Sequence, residues 1–123
     1  MAIVTPTVKD LSGDGSVQLI TWNLTTADHT GASIKSALYS DKTVVFQGAA
    51  AWGSATAAVE GGNDNSVFLA LTDPQGNAIS KTADGVEKIE ENTAYLQPRL
   101  TTPGTAAAVT VSIVARRPTP MRT

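Results

Sequence analysis

The sequence predicts an all-β fold, a single-domain antiparallel β-sandwich of jelly-roll type. Three observations predict it. Apolar residues alternate with polar ones at a period of two and do not recur at helical spacing. Only 16% of the 123 residues are charged, and 17 Thr and 18 Ala take up much of the remainder, a mix suited to pleated, half-buried surface. Clusters of Gly, Pro, Asn and Asp punctuate the apolar runs at short intervals. The length suffices for one core, and 41% hydrophobic residues can fill it.

The elements follow in chain order. Residues 2–8 read as a first strand and form, with Met1 and Lys9, an N-terminal arm or edge strand over 1–9. Gly13-Asp14-Gly15 turns the chain into a strand at 17–25, where Ile20, Trp22 and Leu24 share one face while Thr21 and Asn23 take the other. Asp28-His29-Thr30-Gly31 reads as a polar loop, and strands are expected at 33–39, 43–47 and 55–60. Gly61-Gly62-Asn63-Asp64-Asn65 offers several positions able to adopt positive φ, before a strand at 67–71. Asp73-Pro74-Gln75-Gly76-Asn77 is a turn in which Pro presets φ. Residues 84–92 are expected to form an edge strand, although Val86 and Ile89, three apart, also fit one helical turn. A strand at 95–100 is expected to form a C-terminal hairpin with 109–115 through the type II sequence Thr102-Pro103-Gly104-Thr105. The sandwich domain thus spans 10–115, with an extended Arg/Pro tail at 116–123.

The six aromatic side chains, Trp22, Tyr39, Phe46, Trp52, Phe68 and Tyr95, fall in or beside different strands and are expected to anchor the core. Trp52 lies in the small-residue stretch from Gly48 to Gly53 and is the one candidate for an exposed platform.

No set of residues calls for catalysis. Without cysteine there is no disulfide, thiol chemistry or Cys-based zinc site. His29 is the only histidine and has no nucleophile elbow or second strong metal ligand at regular spacing. Asp84, Glu87, Glu90 and Glu91 form the densest acidic cluster, but they miss the calcium-loop spacing and read as a solvated edge that discourages sheet pairing. Glu60 and Asp64 flank two glycines as a hairpin turn requires. Asn23-Leu24-Thr25 is a glycosylation sequon with no secretory signal ahead of it. No enzyme activity, cofactor or metal is expected. A net charge of -2 gives no reason to seek nucleic acid, and no apolar run approaches the roughly 20 residues of a membrane span.

Charge is partitioned along the chain. All eleven acidic residues lie within 1–115 beside six Lys/Arg, leaving that body at -5, while Arg116, Arg117 and Arg122 place +3 on the last eight residues. Pro118 and Pro120 keep that tail extended. A cationic tail on an acidic body is suited to docking on an acidic neighbour through Arg contacts. The arm, with Ile3, Val4 and Pro6, is suited to edge addition. Ile3, Val4, Pro6, Trp52, Arg116, Arg117 and Arg122 are therefore the expected partner-binding residues.

Residues 39–48 (YSDKTVVFQG), the turn containing Val59-Glu60-Gly61-Gly62-Asn63-Asp64, the segment 71–80 (LTDPQGNAIS), Tyr95-Leu96-Gln97-Pro98-Arg99-Leu100 and the valine-rich strand ending in Arg116-Arg117 occur in a familiar order. Over about residues 17–117 the chain resembles small all-β structural proteins of tailed bacteriophages, in particular head decoration or cement proteins. It departs where such sequences carry an aromatic after the Asn-Asp turn, since Asn65-Ser66-Val67-Phe68 supplies Phe only. The resemblance implies a virion protein that binds the major capsid protein lattice as a homo-oligomer, dimer or trimer, on the capsid exterior after assembly in the host cytoplasm. A tail or baseplate component and a carbohydrate-binding sandwich module are the alternatives.

Overall fold

The computed structural model describes residues 2–118, and every regular element among them is a strand. In order these are β1 (Ile3–Val4), β2 (Thr7–Asp10), β3 (Val17–Thr25), β4 (Thr30–Gly31), β5 (Ile34–Lys35), β6 (Asp41–Ala51), β7 (Thr56–Gly62), β8 (Leu69–Ala70), β9 (Ser80–Lys81), β10 (Gly85–Ile89), β11 (Tyr95–Thr102) and β12 (Ala108–Arg116).

They form two sheets. One has the order β10-β6-β12-β3-β2, and the other β1-β4-β11-β7-β8, with β5 also on β11 and β9 also on β7. From β3 onward the chain passes between them at six of its nine connections: β3, β6, β10 and β12 lie in the first sheet, while β4–β5, β7–β9 and β11 lie in the second. This alternation and strand order is the wrapping of a jelly roll.

The core lies between the sheets and follows from strand parity. Ile20, Trp22 and Leu24 of β3, Val44 and Phe46 of β6, and Val109, Val111, Ile113 and Ala115 of β12 are buried from one side. Ala57 and Val59 of β7 with Leu96 and Leu100 of β11 meet them from the other. Trp22 is fully buried, and its indole N–H donates to the carbonyl of Ala32 at 3.0 Å, so its one polar atom is satisfied. Gly31 lies against the ring: a Cβ there would approach it to 2.6 Å and Pro98 to 2.7 Å. Pro98 is accommodated in the central strand β11 because of an interruption beside it. Leu100 donates to His29 O, so the nitrogen of Pro98, two residues earlier, faces the same side, into the gap between β4 and β5.

Several expectations are corrected. The segments 95–100 and 109–115 do not form a hairpin: β11 and β12 lie in opposite sheets, and Thr102–Thr105 arches between them. Gly104 does take the positive φ of a type II turn, +73°. A reversal fixes the chain direction, and the partner is fixed by which inner face is free. The strand at 33–39 contracts to β5, and the polar loop at 28–31 contains β4. The first strand divides at Thr5-Pro6 into β1 and β2, because Pro6 has no N–H for a ladder. β1 runs parallel to β4, a departure from a wholly antiparallel sandwich. The segment at 84–92 contains an edge strand, paired in register from Gly85 opposite Phe46 to Ile89 opposite Lys42.

Candidate functional site

Tyr95 opens β11 opposite Gly62, the last residue of β7, and Ile89 closes β10 opposite Lys42, near the start of β6. This end of the sandwich therefore gathers the segments after β7 and β10. An open groove of about 430 Å³ lies here, with Gly61, Gly62, Val67, Leu69, Leu71 and Glu91 among its walls. The two glycines make it possible: a Cβ on Gly62 would sit 1.9 Å from Val67 O, and one on Gly61 2.5 Å from Thr93 Oγ1.

A polar network backs the groove. Glu91 accepts the Thr72 backbone N–H at 2.7 Å and also its hydroxyl. Lys42 is fully buried, and its Nζ donates to Tyr39 O at 2.9 Å and to Asn92 Oδ1 at 2.8 Å. Ser36, also fully buried, donates to Thr93 O at 2.7 Å. Burial disfavours the ammonium and moves the Lys42 pKa down, against the opposing pull of Asp41 and Glu91. Burial would raise the Glu91 pKa, but the two bonds from Thr72 and the Lys42 charge outweigh it and hold the carboxyl below its usual range.

Asp84, Glu87 and Glu91 of the acidic cluster are taken up by separate partners, and Glu87 also lies beside Asp73. Asp84 accepts from Trp52 and Gly48, Glu87 pairs with Lys81 at 2.9 Å, and Glu91 is held by Thr72. Glu60 is gripped by Arg99 through two bonds of 2.9 and 3.1 Å, and Asp64 caps its own turn by accepting from Ser66 and Val67. His29 lends its carbonyl to Leu100, and its Nδ1 lies 3.4 Å from the Thr30 hydroxyl. Among the described residues, no three His, Asp or Glu side chains are placed to hold a metal ion together. No described helix is long and apolar enough to cross a membrane.

The structure distributes the expected partner-binding residues. Ile3 and Val4 pair with Thr30 and Gly31, Ile3 exposed and Val4 packed against the core. Pro6 is half-buried between β1 and β2. Trp52 is half-buried against the core, not free on the surface. Arg116 is the last residue of β12, opposite Asp41 and Val17, and the Arg117 backbone donates to Ser16 O at 2.9 Å. Both arginines are exposed, and Arg122 lies outside the described residues. Lys42 and Asn92 were missed by sequence reasoning. Lys42 had a usable signal, since it shares strand parity with Val44 and Phe46 and so faces inward.

No protein-family model matches this chain, and a search of curated proteins finds no match to it.

Proposed function

We propose that this protein is a capsid decoration protein that adheres to the lattice of a major capsid protein and stabilises the assembled head. The observation carrying this reading is the placement of exposed apolar side chains on the lateral edges of both sheets. On one flank, where β1 and β2 end the two sheets, Ile3 is 53% and Val8 57% exposed. On the other, where β9 leads into β10, Leu69 of β8 is 70% and Val86 of β10 is 60% exposed.

Sandwich edges are normally short, charged or covered, because open strand edges invite pairing. Apolar residues on opposite flanks suit a molecule that bridges neighbours on both sides. Its action requires no chemistry: a protein that binds the closed lattice and not free subunits stabilises the lattice by mass action. The resemblance to bacteriophage head proteins supports the same reading. Trp52, committed to Asp84, gives the carbohydrate-module alternative little support.

Mixing the purified protein with empty expanded shells, unexpanded shells and isolated tails tests the reading, with bound copies counted after sedimentation. Saturable binding to expanded shells is expected. Binding to tails alone would move the protein to the tail, and binding to neither would end the proposal.

A further inference from the structure

We propose that Lys42 and Asn92 are the substrates of a self-made covalent cross-link, an isopeptide bond formed with loss of ammonia. The inference is independent of the assembly role proposed above. It rests on the juxtaposition of a wholly buried primary amine and a side-chain amide carbonyl, with Nζ 2.8 Å from Oδ1.

The surroundings favour attack over a plain ion pair. Lys42 is inward-facing on β6, and its other hydrogen-bond partner is the carbonyl of Tyr39. Neither of the two salt bridges among the described residues involves it. Burial weakens the hold of the amine on its proton, which raises the fraction of nucleophilic neutral amine. The amide lies within hydrogen-bond reach of the amine, so the step is unimolecular. Asn92 is exposed, which leaves its amide room to rotate its carbonyl face toward Nζ and gives ammonia a path to solvent.

The balance is complete without any further reagent. The ammonium of Lys42 gives up one proton, and the neutral Nζ adds to Cγ of Asn92. A second proton moves from Nζ to the amide nitrogen, the Cγ–N bond breaks, and ammonia leaves and takes up the first proton. Solvent at the exposed Asn92 carries the protons, because Glu91 accepts from Thr72 with both oxygens and acts on Lys42 by its charge alone. The product would tie the start of β6 to the segment leaving β10, across 50 positions of sequence. It would secure the edge pairing between those strands.

Intact mass spectrometry of the denatured full-length protein is the test. The expected mass is about 17 Da below that of the sequence, the mass of one ammonia. A tryptic digest should contain one branched peptide joining Lys42 to Asn92, with no cleavage after Lys42. Lys42→Arg and Asn92→Ala should each restore the full mass. A wild-type protein of full mass, cleaved normally after Lys42 even after prolonged incubation, overturns the proposal whether or not the variants fold. So does loss of ammonia without a branched peptide, which would mean a succinimide at Asn92.

Discussion

The indole nitrogen of Trp52 donates to Asp84 Oδ1 at 2.7 Å, and the same oxygen accepts the backbone N–H of Gly48 at 2.8 Å. The ring lies so close over Gly48 that a Cβ there would come within 2.6 Å of it. One carboxylate thus ties the far end of β6 to the residue just before β10. The Trp52 bond is the largest reason that the Asp84 carboxyl is held below its usual range, with Gly48 adding to it.

A pH dependence follows from that bond. A carboxyl whose folded-state pKa is depressed contributes stability above its unfolded pKa of about 4 and loses it as pH falls toward the folded value. Asp84→Asn should therefore lower the melting temperature at pH 7, with the gap to wild type closing as pH falls below about 4. Melting curves across that range decide it, and a gap that stays constant with pH would refute the assignment.

Two glycine substitutions should fail for different reasons. Gly31→Ala drives a methyl into the Trp22 ring and Pro98, an overpacking cost of about 1–3 kcal/mol. Gly76→Ala meets nothing within 4 Å, but it places a side chain at φ +88°, which costs about 1–2 kcal/mol in backbone strain alone. Guanidinium denaturation measures both. Pairing Gly31→Ala with Trp22→Phe should relieve part of its cost, whereas Gly76→Ala should be indifferent to that change.

These contrasts show what the sequence could disclose. The parity of β3 and β12 was visible, because Ile20, Trp22 and Leu24 alternate cleanly and so do Val109, Val111 and Ile113. The edge strand at β10 was expected without that signal, since Val86 and Ile89 lie three apart and also fit one helical turn. Sheet membership was not: Thr102-Pro103-Gly104 encodes a reversal, but whether β12 returns beside β11 or crosses to the other sheet depends on contacts with β3 and β6 from distant parts of the chain. β4 was hidden, and β5 was drawn too long at 33–39, because two-residue strands carry no periodicity. At the site, Glu91 was seen as one of an acidic cluster, while its commitment to Thr72 and its neighbourhood to Lys42 arise only once β6, β10 and the segment after β9 are packed together.

Arg99 of β11 reaches diagonally across to Glu60 of β7 and donates two parallel bonds, with Arg99 more open to solvent than Glu60. Such a partly exposed pair is worth modest energy, so a double-mutant cycle through Arg99→Met and Glu60→Gln should return a coupling of about 0.5–1 kcal/mol. Repeating the cycle at 1 M salt should shrink that coupling, because exposed charges are screened. A coupling insensitive to salt would mean that the pair is held by packing.

The assembly reading is tested most sharply by charging the flanks one at a time. Leu69→Asp and Val86→Asp alter side chains that are already in water, so the isolated protein should melt within a few degrees of wild type. If these residues are buried against a capsid subunit, losing a leucine contact of about 1.5–3 kcal/mol should weaken binding to expanded shells by about ten- to a hundredfold. Ile3→Asp and Val8→Asp should do the same from the opposite flank. A molecule that bridges two subunits needs both sides, so either flank alone should retain weak occupancy while losing its protection of the shell against heat. The tail requires a separate variant, truncated after Pro118, because Arg116 belongs to β12 and its removal would fray the strand. Truncation that leaves occupancy unchanged would dismiss the tail, and charged flanks that bind as tightly as wild type would dismiss the edges on which the assembly role rests.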